Sequence, residues 1–364
     1  MTWDALHPLV QHGVWTAIAT GVLIAFVLLI RRPFAARFGA KAAYLLWALP
    51  LARLVMPPLP ESWALSRLFS FNDTQTKAEA APSLLMSPDG SAIMEAPMVA
   101  AQPMAMPEPI VELTAPTLFE TVSGFMWDHA AVILVSIWLL GTIAWLTRSF
   151  RQQHVFMQLV RDDSEPSSEA LQIETREAAK RIGLKRLPEV RSSLLCAGPL
   201  VTGLKNPVVL LPMWFEEDYT REEQRDAIVH ELMHLKRRDL WAFQVARIVA
   251  ATQWLNPFAV LALRAFRTDQ EAACDADVLK QDEISPAAYG RTLVKAARLA
   301  RPSDRRIASA SLTLAHPIKE RIIMMTRPTP SLKKRLLGGV VAVGLGAAAL
   351  VATASYTASA TPDE

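Results

Sequence analysis

Apolar residues in this chain follow two distinct patterns. Three long uninterrupted runs, at about residues 14–30, 130–146 and 336–352, are each long enough to cross hydrocarbon as a helix. A fourth run, 42–56, is shorter and contains Pro50 and Arg53. It is also expected to span, which makes four transmembrane helices. Between Arg151 and Arg335 the apolar residues become periodic instead. Helical spacing runs over 168–182, again over Ala227, Ile228, Leu232 and Leu235, and again over Ala272, Ala273, Ala276, Val278 and Leu279. Residues 190–195 and 200–211 read as strands, with a hairpin at Gly203 and Lys205-Asn206. The pattern therefore predicts an α+β domain inserted between transmembrane helices, its small sheet packed on helices.

These patterns divide the chain into six parts. Residues 1–56 hold two spans, 57–128 a loop, 129–148 the third span, 149–334 the folded domain, 335–354 the fourth span and 355–364 a short tail. The loop is rich in Pro, Ala, Met, Ser and Glu without sustained periodicity, so flexibility is expected there. Its methionines, among them Met94, Met98, Met104 and Met106, reflect composition and do not by themselves specify a soft-metal site. The stretch 241–266 is apolar enough to suggest another span, but Asn256-Pro257 cuts it into pieces too short for a pair of crossings. A bent helical segment is expected, buried in the domain or lying along the membrane surface.

Composition supports a membrane protein: 51% of residues are hydrophobic and ten are tryptophan. The net charge of +3 matters less than its distribution. Arg31, Arg32, Arg37 and Lys41 separate the first two runs, whereas loop 57–128 has only Arg67 and Lys77 against nine acidic residues. Positive residues stay inside, so the domain is expected in the cytoplasm of an inner-membrane protein, with the loop and both termini outside. Returning the chain to the outside for that loop requires the second crossing. The only cysteines, Cys196 and Cys274, fall in the cytoplasmic part, so no disulfide is expected.

The candidate chemistry lies in the domain. His230-Glu231-Leu232-Met233-His234 is an H-E-x-x-H pentapeptide that puts two imidazoles one helical turn apart beside a carboxylate. That arrangement suits Zn²⁺ and a water that a glutamate can deprotonate. Thr220 and Glu223 form a capping-box signature at the start of this helix, and Lys236, Arg237 and Arg238 suit its end. A third ligand is needed. Glu271 and Asp275, four apart on the next helix, share a face. One could bind metal while the other accepts an imidazole N–H, and Cys274 is a soft competitor.

The run 227–234, with Arg238-Asp239, Trp254-Leu255-Asn256-Pro257 and Glu271-Ala272-Ala273-Cys274-Asp275, resembles the zinc-protease domain of the BlaR/MecR-type receptors. Residues 198–204, 207–212, Tyr289 and Leu293 fit the same pattern. The resemblance implies a membrane-embedded gluzincin-like endopeptidase. In it His230, His234 and Glu271 bind zinc, Glu231 is the general base and Asp275 braces the ligands from behind. It further implies a cytoplasmic protein substrate, namely a DNA-binding repressor, with self-cleavage as a further expectation. The partners expected are thus the bilayer and that substrate, with no direct nucleic-acid contact; a homodimer is compatible. In the antibiotic sensors of that family a penicillin-binding domain follows the last span. Here about a dozen residues follow it, without a Ser-x-x-Lys nucleophile, so β-lactam sensing by this chain is not expected. The alternatives are an HtpX-like quality-control protease and a receptor scaffold with a structural zinc. Substrate is expected to lie extended along the edge offered by 199–211, and Arg267, Tyr289 and His316 are candidates for stabilising an oxyanion.

Overall fold

The computed structural model describes residues 8–56, 129–196, 198–281, 284–299, 318–326 and 330–354. The expected loop 57–128, the tail 355–364 and His316 lie outside these residues.

The chain begins with α1 (Pro8–Phe38), α2 (Ala40–Leu45) and α3 (Ala48–Val55). From residue 130 on, α4 (Ala130–Asp163) leads into β1 (Ser164–Pro166), α5 (Glu169–Arg181), β2 (Glu189–Ser193), β3 (Leu200–Thr202) and β4 (Val208–Pro212). A run of helices follows: α6 (Phe215–Asp218), α7 (Arg221–Arg237), α8 (Asp239–Thr252), α9 (Pro257–Val278), α10 (Pro286–Leu299), α11 (Ile318–Met325) and α12 (Leu332–Ala354).

Among the described residues three helices are long and apolar enough to cross a membrane, over His12–Phe38, Val132–Asp163 and Leu332–Val351. Within their apolar runs the helices expose many apolar side chains, as contact with lipid favours; Val22, Leu29, Leu140, Val340 and Val343 are all exposed. The expected span 42–56 is not one continuous helix. It is split into helices of six and eight residues, because the chain turns at Leu46-Trp47 with i→i+3 backbone bonds to Ala43 and Tyr44. Tertiary contacts select the break: Trp47 turns inward, packs edge-on against Phe266 and donates its indole N–H to Asp269 at 2.8 Å. Small residues let α12 approach closely. A Cβ on Gly338 would fall 2.6 Å from Phe38, and one on Gly346 would fall 2.3 Å from Leu49.

The sheet has four strands in the order β1-β2-β4-β3. β3 and β4 are the anticipated antiparallel hairpin, turning at Gly203 with φ +86°, a conformation that favours glycine. β2 runs parallel to β4, and β1 closes the other edge antiparallel to β2. The sheet packs on helices through a core of Leu171, Val190, Val209, Leu211, Ile228, Leu232 and Val278. The expected capping box starts α7: Thr220 Oγ1 accepts from the Glu223 amide, and a Glu223 carboxylate oxygen accepts from the Thr220 amide. Ser168 likewise caps α5.

Two apolar cores share helix α9. Cys274 and Val278 belong to the sheet-and-helix core, whereas Ala262, Ala265 and Phe266 pack with Ile24 of α1, with Trp47 and with Ala342 of α12.

Candidate metal centre

All residues from Ala227 to His234 are buried, so α7 is a central helix and its polar side chains must be satisfied internally. Its face carrying His230 and His234 meets the face of α9 carrying Glu271 and Asp275. The two Nε2 atoms lie 3.2 Å apart, and Glu271 Oε2 is 3.4 Å from the first and 3.7 Å from the second. Oxygen or nitrogen ligands on a tetrahedral zinc, at bonds of about 2.0–2.2 Å, stand about 3.3–3.6 Å apart. The triangle therefore has the size that such an ion requires.

The far nitrogens of both imidazoles are occupied. His234 Nδ1 lies 2.8 Å from Asp239 Oδ2 and donates to it. Asp239 is brought there by the αL conformation of Arg238 (φ 59°), which turns the chain sharply from α7 into α8. Arg237 completes the corner by donating to Asp239, to the Ala273 carbonyl and to Asp277, each at 2.9 Å.

His230 is held over a longer path. Tyr289 Oη, on α10, is 2.7 Å from both Asp275 Oδ1 and His230 Nδ1. Its single proton goes to the carboxylate, so the phenol oxygen accepts from His230 Nδ1–H. Asp275 lies 3.6 Å from that nitrogen and reaches it through Tyr289. Arg321, on α11, holds Asp275 in turn with two hydrogen bonds of 2.9 and 2.7 Å. With both Nδ1 atoms donating, both Nε2 atoms present lone pairs to one gap. A carboxylate oxygen faces the same gap. Glu271 Oε2 is buried and accepts no hydrogen bond among the described residues. Arg321 lines the gap, with Nη1 3.5 Å from Glu271 and Nη2 3.4 Å from His230.

The electrostatics favour positive charge here. Burial lowers the pKa of His230, but Cys274 and Glu271 outweigh it and raise the value to about 10. Burial raises Glu271, yet His234 and Arg321 hold it well below the usual carboxylate range. Glu231, buried beside the histidines, is pushed upward by desolvation against their attraction.

His230, His234 and Cys274 also offer ligand atoms within 4.8 Å of one another and could hold a metal ion. Cys274 Sγ, however, lies 3.8 Å from His230 Nδ1, which Tyr289 already occupies. The two Nε2 atoms and Glu271 Oε2 form a second candidate set, with no separation longer than 3.7 Å.

Of the residues expected to stabilise an oxyanion, Tyr289 is engaged as described and Arg267 stacks 4.7 Å from the Phe243 ring. Asp239 and Arg321 were not singled out as site residues. Asp239 had a signal in the Arg238-Asp239 pair. Arg321 had none, being 91 residues from His230. The edge expected to receive substrate is β3, which packs on α7. Its three residues are buried, with Leu200 under Phe156 and Val160 of α4 and Thr202 bonded to Met157. These contacts place α4 over one face of the β3–β4 hairpin.

Over residues 13–325 the chain matches a family described as BlaR1 peptidase M56. It is 24% identical over 229 residues to the methicillin resistance mecR1 protein of Staphylococcus aureus, covering 60% of this chain and 38% of that protein. The figures are the same for the mecR1 protein of Staphylococcus epidermidis. It is 25% identical over 146 residues to the regulatory protein BlaR1 of Bacillus licheniformis, covering 40% of this chain and 23% of that protein. The chain thus spans less than two-fifths of the length of these curated relatives.

Proposed function

The chain belongs to the BlaR1 peptidase M56 family, and from that premise we propose that it is a membrane-embedded zinc endopeptidase acting in regulated signalling. His230, His234 and Glu271 hold the metal in this reading, and Glu231 is the general base. The observation that carries it is the gap where two imidazole lone pairs and a buried, unbonded carboxylate oxygen converge. Such a cluster favours a bound cation: Arg321 flanks it at 3.4–3.5 Å, and a metal ion between the three atoms would replace any proton on the imidazole Nε2 atoms.

Bound there, zinc would polarise the scissile carbonyl and acidify a water. The chain's residues do the rest. Glu231, its proton affinity raised by burial, removes a proton from the attacking water and returns it to the departing amine. Asp239 and the Tyr289–Asp275–Arg321 relay keep both histidines in the tautomer that presents Nε2. The domain faces the cytoplasm, on the charge asymmetry of the chain, and four crossings are completed by the broken α2–α3 segment. The substrate class is a cytoplasmic DNA-binding repressor, with self-cleavage as a further reaction.

The test is incubation of the purified full chain in lipid nanodiscs with a small winged-helix repressor of the kind encoded with such receptors. Zinc-dependent cleavage at one site is expected, abolished by Glu231→Gln with zinc retained. Indiscriminate cleavage of casein and misfolded membrane proteins would replace this reading with quality control. A closed site that excludes hydroxamate would make the zinc structural.

A further inference from the structure

The hairpin formed by α8 and α9 meets the membrane helices at an unexpected height. Its turn docks on α1 at Gly21, where an added Cβ would fall 2.9 Å from Asn256 Nδ2. The same turn docks on α4 at Gly141, where a Cβ would fall 2.3 Å from the Trp254 ring. Trp138 of α4 donates its indole N–H to the Thr252 carbonyl at 2.9 Å, and Trp254 donates to the Trp138 carbonyl at 3.1 Å. Gly21 precedes Arg31, the first charge after its apolar run, by ten residues, and Trp138 precedes Arg148 likewise by ten. At helical rise the Gly21 and Trp138 contacts lie about 15 Å inside the charged boundary and the Gly141 contact about 10 Å, well into a hydrocarbon core of about 30 Å. Two separate spans therefore report the same depth. Nearer the charged boundary, Arg247 on α8 bonds Ser149 on α4, as an antiparallel descent of α8 requires.

From this we propose that the α8–α9 hairpin is a re-entrant wedge, its turn lying near mid-bilayer and its outer face covered by lipid acyl chains. Residues 248–263 contain no charged side chain. The outward residues Ile248, Leu255, Phe258, Val260 and Leu261 are all apolar and exposed, Leu255 at 65%. Non-helical backbone is tolerated at that depth only where its polar groups find partners within the protein. The turn supplies them: Asn256 N–H donates to the Gln253 carbonyl, and Asn256 Oδ1 caps the Phe258 amide at 2.9 Å. The Thr252 carbonyl takes the Trp138 indole, and Pro257 has no N–H to satisfy. A surface-lying hairpin would instead keep a charged face toward water.

The test labels Leu255→Cys in the full chain with an environment-sensitive fluorophore and reconstitutes it in phosphatidylcholine vesicles. Unsubstituted protein, whose two cysteines are buried, measures background labelling. Quenchers are iodide in water and nitroxides attached either near the lipid headgroup or near the chain end. The expected result is loss of iodide quenching, with chain-end nitroxide quenching more strongly than headgroup nitroxide. Leu187→Cys, exposed in the folded domain, should show the reverse. Iodide quenching at position 255, or stronger quenching by the headgroup nitroxide, would overturn the proposal. Leu261→Cys reads the same outcomes should position 255 disturb folding.

Discussion

The two ends of α9 solve opposite problems. Toward its C-terminus, Glu271, Cys274 and Asp275 are polar or ionisable and buried, and they persist there because Arg321, Tyr289 and two histidines surround them. Toward its N-terminus, Phe258, Val260 and Leu261 are apolar and more than 40% exposed among the described residues. In water each would be costly: unpaired buried charge at one end, bare hydrocarbon at the other. One helix thus joins a buried polar end to an exposed apolar one, with Asp269 between them, held by Arg31 at 2.9 Å and by Trp47 at 2.8 Å.

Perturbing the two ends should give effects of very different size. Glu231→Gln should lower repressor cleavage by about 10²–10⁴-fold, the usual contribution of a general base; zinc content by elemental analysis should not change. Arg321→Met strips the cation from two buried carboxylates, so denaturant unfolding should register a loss of about 3–5 kcal/mol. A loss near zero would show that water reaches this end. Tyr289→Phe breaks the relay to His230 while keeping the ring, and zinc affinity by competitive chelation should fall about 10–100-fold. Asp269→Asn keeps an acceptor for Trp47 but removes the partner charge of Arg31, costing about 1.5–3 kcal/mol by the same unfolding assay. At the other end, Leu255→Ala should shift stability by less than about 0.5 kcal/mol, because the side chain is 65% exposed. A penalty as large as that of Arg321→Met would erase the contrast between the ends.

The candidate site residues were legible in the sequence because they sit at helical spacing. His230 and His234 are one turn apart, as are Glu271 and Asp275, and any α-helix puts such pairs on one face. The capping box, the β3–β4 hairpin and the break at Asn256-Pro257 were legible for the same reason, since each is set by contacts within a few residues. The broken helix at 46–47 was not, because it follows from Trp47 reaching Asp269, 222 residues away. Nor was the indirect hold of Asp275 on His230, which needs Tyr289 from α10 to stand between them. The height of the α8–α9 turn was hidden too, because apolar composition alone does not separate a buried hairpin from a lipid-facing one.

By itself, then, the chain determined which segments are apolar enough to enter a bilayer and which faces of two helices carry ligand-type groups. Periodicity and charge are local properties, and they suffice for that. Only the tertiary structure decided that these faces meet, that Arg321 and Asp239 complete the surroundings, and that the second apolar run breaks to serve Asp269. A buried polar group takes whichever partner the fold brings within hydrogen-bond reach, and spacing along the chain carries no record of that choice.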